Sequence, residues 1–233
     1  MENETSDETT YRGNILTVED AKGNILAKTS YTDELMAVDM HTHPSMHAYM
    51  YNAKFWKEHD PSLYGYSPWA IHTDFPALEW GGVRTFFCTV YVLERTMFAD
   101  VAPLRWLSKI HPKLRRIASA PMEQLTREYL DTAERMVEET RKIHGDSIEI
   151  GRSFAEMKRI HDEGKICMLH AVEGAHHLGG NIGMVDELFE RGVCHFIVPH
   201  LYPNEAGGCC PLMTEDVQVP LPGGFHAKYQ DAS

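Results

Sequence analysis

Three short apolar runs in this chain each lead into a side chain able to bind a metal, and that recurrence narrows the folds open to it. Leu35–Val38 leads into Asp39, His41 and His43; Lys165–Val172 leads into Glu173; Val193–Val198 leads through Pro199 into His200. Short apolar runs bounded by turn formers read as strands buried on both faces. Successive side chains of an extended strand alternate faces, so Asp39, His41 and His43 point the same way. Pro44 lacks a backbone N–H and ends that strand. Between the runs lie helical patterns. After Pro121, the residues Met122, Leu125, Tyr129, Ala133, Met136 and Val137 recur at spacings of three and four, with Gly145 past the end. Ser153 and Glu156 have capping-box spacing for a helix that runs to Glu163 and closes at Gly164. Residues 181–191 form a further amphipathic helix, ended by Gly192. Strands alternating with helices predict an α/β protein, and 233 residues is near the length of one (β/α)8 barrel. In that fold the C-terminal strand ends carry the chemistry, so His41, His43, Glu173 and His200 describe one active-site rim.

The intervening segments fill in this plan. Gly81–Gly82 introduces a strand over Val83–Leu93, rich in Val, Thr, Phe and Tyr. Residues 98–110 read as helical, and Ser147–Ile150 as a short strand. Met46–His59 is a candidate helix. The stretch that follows, broken by Pro61, Pro68 and Pro76, reads as a loop shaping a pocket, with His47, His59 and His72 on its surface or lining. At the N-terminus, residues 1–10 read as an acidic, disordered lead-in. Gly-Asn-Ile-Leu occurs at 13–16 and 23–26 around the turn Asp20–Gly23, which predicts a small hairpin. Beyond residue 202, Cys209–Cys210, Pro211, Pro220, Pro222 and Gly223–Gly224 mark a loop-rich tail, where His226 is poorly placed to ligate. The chain thus divides into 1–34, 35–202 and 203–233.

A net charge of −12 argues against a nucleic-acid partner, whose phosphates call for a basic face. Fourteen histidines are many for this length, and metal chemistry is one reason for such a number. Five cysteines are an odd count without disulfide-framework spacing. Cys88, Cys167 and Cys194 sit in apolar runs and read as buried, reduced thiols. Met1–Glu8 lacks the basic and apolar regions of a signal peptide, and no apolar run approaches the roughly 20 residues of a membrane span. A cytoplasmic location is expected. Two imidazoles on one face at a strand's C-terminal end, His41 and His43, suit a divalent transition metal. Asp39 is read either as an acceptor behind them, holding an imidazole N–H, or as an ordinary strand-end residue.

The stretch Glu163-Gly-Lys-Ile-Cys-Met-Leu-His-Ala-Val-Glu-Gly-Ala-His176 resembles the strand of the membrane (renal-type) dipeptidases, peptidase family M19, that carries a Val-Glu-Gly-Gly-His motif. The likeness continues through Asn181–His200, similar to that family's helix and the strand ending in Leu-Thr-His. Gly81–Val92 resembles its second strand, and the resemblance spans residues 35–202. It implies an amidohydrolase-like metal barrel that cleaves dipeptides with a zinc-activated hydroxide. By position, His41 would bind the first of one or two zinc ions and Glu173 would bridge the pair. His200 would contact the substrate and stabilise the tetrahedral intermediate. His43 stands where the family has Asp, giving a His-x-His pair typical of other amidohydrolases. The resemblance also implies later strands with two further histidine ligands, a substrate-binding Arg and an acidic residue, whereas four or five strands are countable here. A C-terminally truncated partial barrel is therefore expected. The reading leaves room for a homodimer, for another activity of this class such as a lactonase, and for a non-catalytic remnant that binds metal or a partner.

Overall fold

The structure, a computed structural model, describes residues 8–12, 15–19, 25–30, 37–60, 71–208, 220–221 and 225–226. The chain divides into two compact units, Met1–Ala37 and Val38–Ser233. In the first unit, strands β1 (Glu8–Arg12), β2 (Ile15–Glu19) and β3 (Ile25–Ser30) form an antiparallel sheet in the order β1-β2-β3. Residues 8–10, expected in the lead-in, are therefore in a strand. Thr9, Thr10 and Tyr11 are good strand formers and pair with Val18, Thr17 and Leu16. The Ile-Leu halves of the two Gly-Asn-Ile-Leu copies fall in β2 and β3, which pair as a hairpin does. The turn Asp20–Gly23 lies outside the described residues.

The second unit is built on a sheet in the order β4-β5-β7, with two further strands on the far edge of β7. Its elements begin with β4 (Ala37–Thr42), α1 (Pro44–Tyr51), α2 (Phe75–Trp80) and β5 (Val83–Val90). Helices α3 (Arg95–Asp100), α4 (Ala102–Ile110), α5 (Pro112–Ser119) and α6 (Met122–His144) follow. Then come β6 (Ile148–Ile150), α7 (Phe154–Asp162), β7 (Ile166–Glu173), α8 (Met184–Glu190) and β8 (Val193–Ile197). The β5, β6 and β8 pairings with β7 are all parallel. Strand β6 takes Ile166–Met168 of β7, and β8 takes His170–Glu173 of the same edge. This α/β architecture is the partial barrel expected.

Strand β7 is the centre of the fold, and all eight of its residues are buried. Phe86, Cys88 and Val90 of β5 and Ile166, Met168 and Val172 of β7 face one way. They meet Leu125, Tyr129, Ala133, Met136 and Val137 on one stripe of α6. On the opposite face, Cys167 and Leu169 pack with Ile160 and Met157 of α7 and with Phe87. The helix signals are met locally: Ser153 Oγ accepts the Glu156 N–H at 3.2 Å, and Gly145 follows the last turn of α6.

Several expectations change. Leu35 and Met36 lie outside the described residues. Val38 and Met40 of β4 are 41% and 57% exposed, because β4 is an edge strand rather than one buried on both faces. Pro76 sits in the first turn of α2, where its missing N–H costs nothing, and the Asp74 carboxylate caps that helix by accepting from Ala77 N at 2.9 Å. Residues 98–110 fall in two helices, α3 and α4, that meet at Val101 ahead of Pro103. Cys194 is exposed, as β8 is less covered than β7. Pro61, Pro68, Cys209–Cys210, Pro211 and Pro222–Gly224 lie outside the described residues. His226, expected in a loop, is in a two-residue strand, β10 (Phe225–His226), paired with β9 (Pro220–Leu221). Among the described residues, no helix is long and apolar enough to cross a membrane.

His170, on the α6 side of β7, is fully buried, and neither ring nitrogen has a hydrogen-bond partner. Burial pushes its pKa down from 6.5 to about 4, against the pull of Glu134, whose carboxylate lies 3.8 Å away. Between those two values the unfolded chain binds a proton that the native chain does not, so stability falls as pH drops from 6.5 towards 4. The variant His170→Leu should lose about 3 kcal/mol less than the wild-type chain over that window, measured by urea unfolding at each pH.

Candidate metal centre

The ends of β4 and β7 bring together the three residues proposed as ligands. His41 is in the last turn of pleat of β4, and His43 follows the strand directly, at the N-cap of α1. Thr42 between them points away and donates its hydroxyl to the Phe87 carbonyl of β5 at 3.0 Å. His43 Nδ1–H donates to the Thr89 carbonyl at 3.0 Å, which leaves Nε2 as the free lone pair that a metal takes. Burial draws the His43 pKa below its ordinary value, while the Thr89 bond and the Glu173 charge oppose it. The net direction favours the neutral ring. The Asp39 carboxylate, read as an acceptor for an imidazole, accepts the backbone N–H of His41 at 3.1 Å. The imidazole acceptor behind the site is the Thr89 carbonyl.

Glu173 closes the group from the last position of β7. His41 Nε2 and His43 Nε2 are 3.0 Å apart, and Glu173 Oε2 stands 3.5 and 3.4 Å from them. Donor atoms each about 2.0–2.2 Å from one ion lie roughly 3–3.5 Å apart at near-tetrahedral angles, so the three fit one zinc-sized ion. The His41 side chain is 39% exposed, which leaves a way in. The other carboxylate oxygen, Oε1, is 3.4 Å from His200 Nε2, so His200 joins the same rim from the segment after β8.

The backbone beyond Glu173 is shaped to let this happen. Gly174 has φ +97°, and a Cβ there would lie 2.3 Å from His176 Nδ1, so a side chain is excluded. The 3-10 turn Ala175–Leu178 that follows sends two histidines back to the end of β5. His176 Nε2–H donates to the Val92 carbonyl at 2.8 Å, and His177 Nε2 accepts the Val92 N–H at 3.2 Å. The His177 Nδ1–H meets Thr126 Oγ1 of α6 at 2.8 Å, and burial holds the pKa of this ring well below the ordinary value. Both backbone groups of Val92 are thereby satisfied by imidazoles, which ties the β5 end to the β7 end.

The sequence reading did not single out Glu94 or Tyr91. Glu94 is 5% exposed, accepts a short hydrogen bond from the Tyr91 hydroxyl, and faces His200 Nδ1 at 3.3 Å. Burial pushes its carboxyl up, but bonds from His200 and Tyr91 and the field of His176 bring it below the ordinary range. The rule that flagged Glu173, a carboxylate ending an apolar strand, applies equally to Glu94 after Val83–Leu93. Of the histidines read as surface or pocket residues, His72 is exposed, His47 is half-buried and His59 bonds Asp74 through Nδ1 at 3.1 Å.

The model of the membrane dipeptidase family, peptidase family M19, matches residues 30–216. Among solved structures, the probable dipeptidase PvdM from Pseudomonas aeruginosa aligns with TM-score 0.50 and 13% identity, covering 74% of this chain and 36% of that one. A metallopeptidase from Rhodobacter sphaeroides, liganded with a phosphinate mimic of the dipeptide L-Ala-D-Ala, aligns with TM-score 0.49 and 17% identity over 74% and 49%. The dipeptidase AC, a metallopeptidase of family M19, aligns with TM-score 0.46 and 15% identity over 70% and 42%. The chain spans less than half the length of each of these structures. No curated protein matches it.

The variant Glu173→Gln should remove most of the bound metal, whereas His226→Ala should leave it unchanged, measured as metal per chain after dialysis against a limiting zinc buffer. Normal metal content in Glu173→Gln would show that the ligand group is misassigned.

Proposed function

Because the chain belongs to the membrane dipeptidase family over residues 30–216, we propose that it is a metal-dependent hydrolase that cleaves the amide bond of a dipeptide or a similarly small substrate. The observation that carries this reading is the convergence of His41, His43 and Glu173 donor atoms at two strand ends, inside the region the family covers. Two imidazoles and one carboxylate are a donor set that suits zinc. When bound, zinc supplies a Lewis acid for the scissile carbonyl and lowers the pKa of water to near neutrality.

In this reading each residue of the rim has one task. His41 and His43 would hold the ion, and the Thr89 carbonyl keeps the His43 ring turned for it. Glu173 would hold it with them, and His200 stands 3.4 Å from Glu173 Oε1, next to the group. His200 is the residue placed to contact the substrate and, when its Nε2 also carries a proton, to donate a hydrogen bond to the oxygen on which charge develops. His43 in place of a carboxylate leaves Glu173 as the single negative charge among the three ligands, which sets a less strongly anionic site.

The test joins elemental analysis of the purified chain to hydrolysis assays on dipeptides and on lactones. The expected result is about one zinc per chain, with dipeptide turnover that is lost on chelation and returns with zinc. Zinc without turnover would make the chain a metal-binding remnant, and lactone turnover alone would place it among other amidohydrolase-type activities. Either result overturns the dipeptidase reading.

A further inference from the structure

The carboxylate of Glu94 is surrounded by donors, among them groups of Tyr91, His200 and Leu201. Its Oε2 takes the Tyr91 hydroxyl. Its Oε1 faces the Leu201 N–H and His200 Nδ1, each at 3.3 Å. Glu94 therefore grips His200 twice, through the ring and through the backbone of the next residue. The Tyr91 ring stands edge-on against the His200 ring, with centroids 4.5 Å apart at 66°, and closes one side of it. On the far side of the imidazole, Nε2 is 3.4 Å from Glu173 Oε1.

We propose that Glu94 is a positioning residue for His200: it accepts the Nδ1–H of the ring and thereby holds Nε2 towards Glu173 and the metal group. An ionised carboxylate accepts hydrogen bonds and cannot donate them, so the ring nitrogen facing it has to carry a proton. Which nitrogen of a histidine is protonated follows from the bond the other one makes. A carboxylate buried at 5% exposure is also a stiff support, since its own rotamer is held by Tyr91 and Leu201. The role assigned to His200 rests on the dipeptidase reading. The pairing of Glu94 with its ring does not, and the two can be tested apart.

The experiment is ¹⁵N NMR of the histidine rings in the full chain, labelled at histidine and recorded at about pH 8, where an ordinary imidazole is neutral. The His200→Gln spectrum assigns the His200 signal. In the wild-type chain the ring should be protonated at Nδ1. Glu94→Ala should lose that signature, and Glu94→Gln, whose amide oxygen can still accept, should retain it. Tyr91→Phe should also retain it, and this conservative variant keeps the test open if Glu94→Ala does not fold. Zinc content should be unchanged in the Glu94 variants, because His41, His43 and Glu173 are intact. Where turnover is measurable, Glu94→Ala should lower kcat by about tenfold or more with little change in KM. A His200 ring that is unprotonated at Nδ1 in the wild-type chain, or unchanged in Glu94→Ala, overturns the proposal. The expected ring signature in a chain that cleaves no dipeptide would overturn the functional reading and uphold the pairing.

Discussion

An ionisable carboxylate at the end of a strand buried along its whole length has to find partners there, and the arrangement of this protein follows from how Glu173 finds them. All of β7 is inside the protein, with β5 on one edge, β6 and β8 sharing the other, and helices on both faces. A charge at the end of such an element is tolerated only when opposite charge, a metal or hydrogen-bond donors stand beside it. The histidines that meet Glu173 come from both sides of the sheet: His41 and His43 from the β4 end, and His200 from the β8 end. The site is therefore a consequence of strand order. Neighbouring strand ends in a parallel sheet deliver their terminal side chains to one place, whatever the distance between them along the chain.

The same logic accounts for the parts of the structure that lie around the centre. Gly174 turns the backbone away immediately after Glu173, and the 3-10 turn returns His176 and His177 to Val92. An imidazole serving as a structural bridge is a costly choice unless it stays neutral. The bonds of His177, accepting at Nε2 and donating at Nδ1, are those of the neutral ring. Nearby residues of one type thus do different work: His43 offers its free nitrogen to the site, while His177 has both nitrogens occupied by the fold.

Much of this was legible in the sequence, because it depends on local rules. The apolar run before Glu173, the three-and-four spacing along α6 and the Ser153–Glu156 cap all concern residues close together in the chain, and each appears where the pattern places it. The joining of His41, His43, Glu173 and His200 was legible once strand ends were taken as neighbours. What was not legible depends on the third dimension. The exposure of Val38 and Met40 follows from the edge position of β4, which no residue of β4 announces. The tie between His43 and a backbone carbonyl of β5 has no side-chain signature at all. Glu94 was legible by the rule applied to Glu173, but its partner is 106 positions away and only the fold introduces them.

Under the proposed function, the placement of His41, His43 and Glu173 would also link metal binding to the integrity of the sheet. One of the three lies on an edge strand with solvent-exposed residues, a second follows that strand directly, and the third comes from the most deeply buried strand. Edges open locally at far lower free energy than centres do. An ion held by all three is a clasp between a loose element and a fixed one. Its affinity includes the work of keeping β4 docked, and its occupancy returns the same free energy as protection of that edge. The supply of that ion would then govern two things at once, the proposed chemistry at the rim and the exposure of an edge strand through which chains can associate.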